Sequence, residues 1–182
     1  IQLFEALGSS APRLGHLSLL TDISGSGLSK RLGSLSLKDL RHEGFEPMAI
    51  SSLLSKVGTS DPIDVFKDIK KIIKEFDINK FGKSKPKFDK NELSNLNSKF
   101  FQLMDYEDII NKLKTMDLNI TKEFWYLIRG NIEILDDVKI WMNVCFGNIQ
   151  TKNIDSDLLS LALKLLPQDQ FNENTWSIWT NL

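Results

Sequence analysis

The feature that most constrains the fold is the spacing of apolar residues along the last two thirds of the chain. They recur every three or four positions within the stretches 63–76, 93–103, 124–128, 134–146 and 158–166. That interval places the apolar side chains on one face of an α-helix, whereas a strand would need alternation. We therefore predict a mainly α fold in which these helical stripes supply the core.

Capping and breaking residues mark where these helices begin and end. Pro62, in a first-turn position after Asp61, predicts a helix that starts there. Asp89, followed by Glu92 three residues later, predicts a second start, and Thr121 predicts a third. Gly147 and Pro167 end the last two stretches. We expect a helical bundle over residues 61–182.

The first 60 residues follow a different pattern. We predict a short helix at 3–7 closed by Gly8, a short strand at 17–20, a helix within 36–43, and a helix from Pro47 to Gly58. Between the strand and the second helix, the run 24–27 reads Ser-Gly-Ser-Gly, which predicts a flexible turn. We therefore expect a small mixed α/β region at 1–60 ahead of the helical bundle.

Composition excludes several classes of protein and of site. A chain of 182 residues forms one domain or two small ones. Cys145 is the sole cysteine and the chain has two histidines, which excludes an intramolecular disulfide and argues against a metal site. No apolar run approaches the roughly 20 residues of a membrane helix, and residues 1–5 do not begin a signal peptide. We expect a cytoplasmic, monomeric protein that begins inside a longer gene product.

Most of the conspicuous side chains are expected to serve the structure. The four tryptophans, at helical spacing among Leu, Ile and Met, favour core packing over base stacking. Cys145, in an apolar run, favours a buried thiol. The pair Asp136-Asp137 favours solvation of a helix or stabilisation of its N-terminal turns, and Arg129 favours helix capping over recognition of a base. The serines and histidines form no nucleophile elbow.

Charge is unevenly distributed although the net charge is -1. Residues 61–100 carry 10 basic and 7 acidic side chains, whereas residues 101–182 carry 7 basic and 12 acidic ones. A near-neutral protein can still bind nucleic acid when its cations share a face. The purely structural interpretation is that the basic residues of the 61–76 stretch are a solvated helix face. These residues are Lys67, Lys70, Lys71 and Lys74.

One segment carries a chemical signal. Residues 24–35 read Ser-Gly-Ser-Gly-Leu-Ser-Lys-Arg-Leu-Gly-Ser-Leu, a glycine-containing loop that presents Lys30 beside Arg31. Backbone N–H groups in such a loop meet phosphate oxygens, and the two cations suit a polyphosphate whose charge grows during nucleotidyl transfer. A Gly-Ser turn before a basic pair is also common in ordinary surface loops, so composition alone favours no function.

The order of the residues adds a resemblance. The run Gly27-Leu28-Ser29-Lys30-Arg31 resembles the Lys-Met-Ser-Lys-Ser signature loop of class I aminoacyl-tRNA synthetases, in the form found in glutamyl-tRNA synthetases. The Ser-Gly-Ser-Gly lead-in is most similar to alphaproteobacterial members. Residues 15–20 resemble the strand before that loop, and residues 31–36 followed by 44–50 resemble the stem-contact segment after it.

Further matches extend the resemblance along nearly all of the chain. Phe88-Asp89 with Leu93 and Leu96-Asn97 is similar to a family element at the start of the anticodon-binding region. Residues 124–129 and 175–180 fit the same helical region. The resemblance implies that residues 1–60 hold the end of a catalytic domain and a stem-contact region. It implies that residues 61–182 hold part of an anticodon-binding region.

The resemblance also implies a reaction and its residues. The family forms glutamyl-adenylate from glutamate and ATP, which carries Mg²⁺, and transfers glutamate to the 3′ end of tRNA. Lys30 matches the signature lysine that stabilises the ATP phosphates, and Leu28 and Ser29 match positions whose backbone lies near the adenine. Gly27 stands where the family often has another lysine, so either Arg31 or another residue compensates or the loop works with one positive charge fewer. The predicted nucleotide-binding residues are therefore Gly27, Leu28, Ser29, Lys30 and Arg31, with Lys30 catalytic.

The expected partners follow from the same resemblance. They are tRNA(Glu), ATP and glutamate, with Lys38, Arg41 and the basic 61–100 segment facing the RNA. We expect the chain to be a C-terminal portion of such an enzyme and to form no adenylate alone. Two alternatives stay open: a non-catalytic helical interaction module, and a relative that charges tRNA(Gln).

Overall fold

The computed structural model describes residues 1–28, 36–147, 155–166, 172 and 174–180, without the side chain of Thr180. The chain divides into two compact units, residues 1–142 and residues 143–182. The predicted mainly α fold is confirmed. The helices are α1 (Gln2–Ala6), α2 (Leu37–His42), α3 (Pro47–Lys56), α4 (Ile69–Glu75), α5 (Lys90–Leu103), α6 (Tyr106–Thr115), α7 (Lys122–Ile128), α8 (Asp137–Phe146), α9 (Ser156–Leu165) and α10 (Thr175–Thr180), with 3₁₀ turns at Ile78–Lys80 and Arg129–Asn131.

Several predicted helix boundaries are confirmed. The Ser36 hydroxyl accepts the Asp39 N–H and the Asp39 carboxylate accepts the Ser36 N–H, a reciprocal cap that starts α2. Asp89 caps α5 by accepting from the Asn91 N–H, and Thr121 caps α7 by accepting from the Phe124 N–H. Local capping chemistry therefore decides where these helices start.

The predicted helix start at Pro62 is wrong. Residues 62–67 are not helical, and α4 begins at Ile69 with Asp68 as its cap. Asp61 does not cap; its carboxylate binds the ammonium groups of Lys56 at 3.2 Å and Lys80 at 2.8 Å. The Phe66 N–H donates to the Ser52 hydroxyl at 3.0 Å, and this tertiary bond holds the non-helical segment against α3.

The predicted strand at 17–20 is also wrong, because those residues carry no regular secondary structure. In the described part of the first 60 residues, β pairing is limited to two isolated bridges of Thr21, antiparallel with Gly27 and parallel with Lys87. Among the described residues of 1–60, the regular secondary structure is therefore helical, whereas residues 9–20 have none, and the predicted mixed α/β region is not confirmed. Alternating apolar residues predict a strand only where a neighbouring strand accepts their backbone bonds.

The core of residues 1–142 contains two hydrophobic clusters, and α5 contributes to both. Leu93 and Leu96 of α5 pack with Leu40 of α2 and with Ala49 and Leu53 of α3. The C-terminal half of α5 packs with α6, α7 and the start of α8. The members of this second cluster are Phe100, Phe101, Ile109, Leu113, Leu118, Ile120, Phe124, Trp125, Ile128, Ile132, Leu135 and Val138.

A buried amide joins these elements. Asn97 of α5 is fully buried, and its Oδ1 accepts the Glu46 N–H at 2.8 Å. Its Nδ2 donates to the Glu133 carbonyl at 2.5 Å and to the Gly44 carbonyl at 3.4 Å. One side chain therefore ties the start of α3 and the segment before α8 to the middle of α5.

The prediction that all four tryptophans lie in the core is only partly confirmed. Trp125 is fully buried and its indole N–H donates to the Met104 carbonyl at 3.0 Å. Trp141 and Trp179 are half-buried, whereas Trp176 is 69% exposed. The prediction of a buried Cys145 thiol is wrong, because Cys145 is exposed. Helical spacing identifies the stripe but not whether another element covers it.

Within residues 143–182, the described contacts are few. The Trp179 indole N–H donates to the Ala162 carbonyl of α9 at 3.0 Å. The rings of Trp176 and Trp179 meet edge to face with centroids 5.7 Å apart.

In the described residues, no helix has the length and apolar character needed to cross a membrane. The expected functional boundary at residue 60 stays a prediction.

Candidate functional site

The predicted phosphate-contacting loop lies only partly within the described residues. Gly27 and Leu28 are described, whereas Ser29, Lys30 and Arg31 lie outside the described residues. The geometry of the site is therefore the geometry of the segment that leads to it, residues 17–28. Leu28, the last of these, is 36% exposed, so the segment ends at the protein surface.

Thr21 anchors this segment to another part of the chain. It is almost fully buried, its N–H donates to the Pro86 carbonyl at 2.9 Å, and its carbonyl accepts from the Phe88 N–H at 2.7 Å. The Thr21 hydroxyl adds a bond of 3.2 Å to Pro86, and the Ser18 hydroxyl donates to the Lys83 carbonyl at 2.9 Å. The base of the loop is thereby fastened to residues 82–88.

Asp22 closes the Ser-Gly turn that follows. Its Oδ1 accepts the Ser24 hydroxyl at 2.6 Å and the Ser26 N–H at 2.9 Å. Its own N–H donates to the Ser26 carbonyl at 2.9 Å, and its carbonyl accepts the Gly25 N–H at 3.0 Å. The hydrogen bond from the Ser24 hydroxyl is the main cause that holds the pKa of Asp22 below its usual value.

The two glycines of the turn have different roles. Gly25 has a φ of +87°, a left-handed conformation that favours glycine. Gly27 is not among the positive-φ residues, and a Cβ built on it would meet no heavy atom within 4 Å. The backbone thus demands glycine at 25 but leaves room for a side chain at 27, where the resembling family often has lysine.

Basic residues surround the anchor of the loop. Lys83, Lys85 and Lys87 are exposed along the segment to which Thr21 binds. Among the described residues, none of the three forms an ion pair, whereas nearby Lys80 and Lys90 pair with Asp61 and Glu43. The loop and an uncompensated basic strip therefore share one anchored stretch of backbone.

The other cations proposed from the sequence fall into two groups. Lys38 and Arg41 are exposed on α2, and Arg41 lines a groove of about 660 Å³ between α2, α3 and the end of α6. Arg129 instead donates to the Met104 carbonyl at 2.9 Å and lies 4.5 Å from the Tyr126 ring centre. It caps the C-terminal end of α5, as the sequence favoured.

The four lysines on α4 and just before it are all exposed, which agrees with the purely structural interpretation of a solvated helix face. Lys67 pairs with Asp108 at 2.9 Å and with Asp105 at 3.4 Å, and the bond to Asp108 is the first cause that raises the pKa of Lys67.

Asp137 accepts the Glu133 and Ile134 N–H groups ahead of α8, as predicted for a helix start. Among the described residues, no group of three or more His, Cys, Asp or Glu could hold a metal ion.

Sequence reasoning did not single out Thr21 or Asp22. The anchoring role of Thr21 could not have been found locally, because its partners Pro86 and Phe88 lie 65 or more residues away along the chain. Asp22 had a local signal, since an aspartate before a Ser-Gly turn accepts N–H groups of the following residues. The motif residues Phe88, Leu93, Leu96 and Asn97 are all buried, so they belong to the core rather than to an exposed ligand-contacting surface.

Sequence comparison relates the chain to a family of tRNA-ligating enzymes. Residues 1–95 match the family model of "tRNA synthetases class I (E and Q), catalytic domain". Glutamate–tRNA ligase 1 of Maricaulis maris is 40% identical over 182 residues, which are all of this chain and 41% of that protein. Glutamate–tRNA ligase 2 of Orientia tsutsugamushi is 40% identical over 183 residues, or 98% of this chain and 41% of its own length. The chain thus spans about two fifths of the length of these relatives.

Structural comparison gives the same fold. The crystal structure of a glutamate tRNA ligase from Elizabethkingia meningosepticum, in complex with its amino acid, superposes with a TM-score of 0.65 at 22% identity. The match covers 99% of this chain and 43% of that one. A second structure, from Elizabethkingia anophelis, matches with a TM-score of 0.63 over 91% of this chain.

Proposed function

Because the chain belongs to the class I tRNA synthetases of the glutamate and glutamine group, we propose that it is part of a glutamate–tRNA ligase. The observation that carries the proposal is the 40% identity to a glutamate–tRNA ligase over all 182 residues. In such an enzyme the glutamate carboxylate attacks the α-phosphorus of ATP and pyrophosphate leaves. The resulting adenylate then transfers glutamate to the 3′ end of tRNA.

Lys30 is the catalytic residue of this proposal. Negative charge grows on the departing pyrophosphate, and an ammonium group held beside it stabilises the transition state more than the ground state. Arg31 adds a second cation, which offsets the absence of a lysine at Gly27. The proposal assigns Leu28 and Ser29 to the adenine because they match family positions with that role, and Mg²⁺ would accompany the ATP phosphates.

A chimera tests this assignment. The 182 residues replace the matching segment of the Maricaulis maris relative, and ATP–pyrophosphate exchange is measured with tRNA(Glu) present. The chimera should be active, and Lys30→Ala should lower kcat by about 100-fold, the usual cost of removing one charge-stabilising donor. Lys114→Ala, which removes an exposed cation of α6, is the matched control.

The outcomes separate clearly. Full exchange activity after Lys30→Ala would contradict the catalytic role, and an inactive chimera would contradict the proposed function. Charging of tRNA(Glu) without tRNA(Gln) by the active chimera would identify the substrate RNA, whereas charging of tRNA(Gln) would support the alternative relative. An inactive chimera whose chain still binds other proteins would favour the helical interaction module.

We further propose that the uncompensated strip of Lys83, Lys85 and Lys87 contacts the tRNA backbone. Each neutralised phosphate releases counterions, so binding weakens as salt rises. Replacing all three lysines with alanine should weaken binding of tRNA(Glu) by the 182-residue chain. The slope of log affinity against log salt concentration should become shallower by the equivalent of up to roughly three phosphate contacts. The measurement is a filter-binding or fluorescence titration at several salt concentrations.

The control for this experiment removes the same charge elsewhere. Lys70, Lys71 and Lys74 are exposed on α4, and their triple alanine variant should change the salt slope less. Equal slopes for the two triple variants would show that binding depends on total charge alone and would contradict a defined RNA contact.

A further inference from the structure

The Ser-Gly-Ser-Gly run ahead of the predicted phosphate loop needs something to hold it. Glycine and serine gain little from burial, and two glycines raise the entropy lost when the backbone is ordered. Ser24, Gly25 and Ser26 are exposed, so apolar packing does not order them. Their order must come from hydrogen bonds.

Those bonds converge on one residue. The Asp22 carboxylate accepts from the Ser24 hydroxyl and the Ser26 N–H, while the Asp22 backbone bonds to Ser26 and Gly25. Three of the four residues in the run are therefore tied to Asp22 at distances of 2.6–3.0 Å. The fourth, Gly27, forms an antiparallel bridge with Thr21, the residue before Asp22.

The same stretch is fixed on its other side. Thr21 is bonded to Pro86 and Phe88, and Phe88 is itself buried beside α5. The turn that Asp22 closes thus stands on a rigid base, and Leu28 leaves that turn from a defined point. Without the carboxylate, the base would stay in place but the turn would lose two of its bonds.

We propose that Asp22 is a positioning residue for the phosphate-contacting loop, because its carboxylate closes the turn that sets where residues 29–31 begin. The inference rests on the proposed function. A small displacement of a catalytic group costs a large factor in rate, so the turn governs the adenylation step without contacting substrate. The hydrogen bond from the Ser24 hydroxyl lowers the pKa of Asp22, so acid weakens these bonds only as the pH falls below the usual titration range of an aspartate.

The first experiment asks whether Asp22 holds the turn. Amide hydrogen exchange of Ser26 and Gly27 is measured by NMR in the 182-residue chain. Asp22→Ala should speed exchange at Ser26 at least tenfold, while Asp22→Asn, whose side-chain oxygen still accepts, should speed it less. Glu5→Ala removes one exposed carboxylate of α1 and should leave both amides unchanged. Unchanged exchange in Asp22→Ala would overturn the positioning role.

The second experiment asks whether the turn governs the reaction. In the chimera described above, Asp22→Ala should lower kcat of ATP–pyrophosphate exchange by roughly 10- to 100-fold with the KM for glutamate and the melting temperature unchanged. Asp22→Asn should restore most of the rate. A full rate in Asp22→Ala would overturn the inference. So would a rate in Asp22→Asn as low as that of Asp22→Ala when amide exchange shows that the turn of Asp22→Asn is closed. An inactive parent chimera would instead count against the proposed function. The amide hydrogen exchange of Ser26 does not depend on that function and tests the turn separately.

Discussion

Two helices with similar apolar content, α7 and α9, have opposite surroundings. In α7, within residues 1–142, Phe124, Trp125 and Ile128 are buried and only Leu127 of the apolar stripe is largely exposed. In α9, within residues 143–182, no residue is buried. Its exposed leucines are Leu158, Leu159, Leu161, Leu163 and Leu165.

The difference shows what an apolar stripe can and cannot decide. Both helices start at a capping residue, Thr121 for α7 and Asp155 for α9. A local cap and suitable spacing are therefore enough to form the helix. Burial needs facing elements, which α5, α6 and α8 provide for α7. Most of the stability of a helix in a protein comes from such packing.

Replacing a tryptophan in each region gives the largest test of this comparison. Trp125→Ala should reduce the free energy of unfolding by about 3–5 kcal/mol, because a fully enclosed ring leaves a cavity. Trp176→Ala should change it by no more than about 0.5 kcal/mol, because that ring is mostly in solvent. Urea unfolding followed by circular dichroism measures both.

An equal change in the two variants would break the comparison. A small change in Trp125→Ala would mean that the second cluster is not tightly packed, whereas a large change in Trp176→Ala would mean that its ring is covered in solution. Either result would contradict the burial described for these side chains.

A smaller effect is expected at the polar centre of the packed region. Asn97→Ala removes the partner of the Glu46 N–H and of the Glu133 carbonyl. Leaving such buried groups without a partner costs about 1–3 kcal/mol. Asn95→Ala, on the exposed side of the same helix, is the matched control and should have little effect. Equal unfolding midpoints for the two variants would show that Asn97 does not join these elements.

Much of the fold could be predicted because its signals are local. The reciprocal cap at Ser36, the caps at Asp89 and Thr121, and the positive φ at Gly8 and Gly58 all lie where the sequence indicates a boundary. The wrong predictions share a cause. The helix at Pro62 and the strand at 17–20 were assigned from local patterns, and each depends on partners from other segments.

The candidate site divides in the same way. The resemblance in residues 27–31 and the basic pair within it could be found in the sequence. The anchoring of the loop could not, because Thr21 binds Pro86 and Phe88, and no local pattern links residues so far apart. The uncompensated charge of Lys83, Lys85 and Lys87 also needed the structure, which shows which lysines have acidic neighbours.

The amino-acid sequence by itself determined that the chain is mainly helical, where several of its helices begin, and which loop resembles a nucleotide-contacting signature. These features depend on interactions between residues a few positions apart, which any short segment carries with it. Only the tertiary structure decided that Trp125 is enclosed while Trp176 faces solvent, and that Asp61 pairs with lysines while Thr21 binds Pro86 and Phe88. Burial and pairing depend on which distant segments come together, because an apolar or charged side chain gains stability only from the groups that surround it.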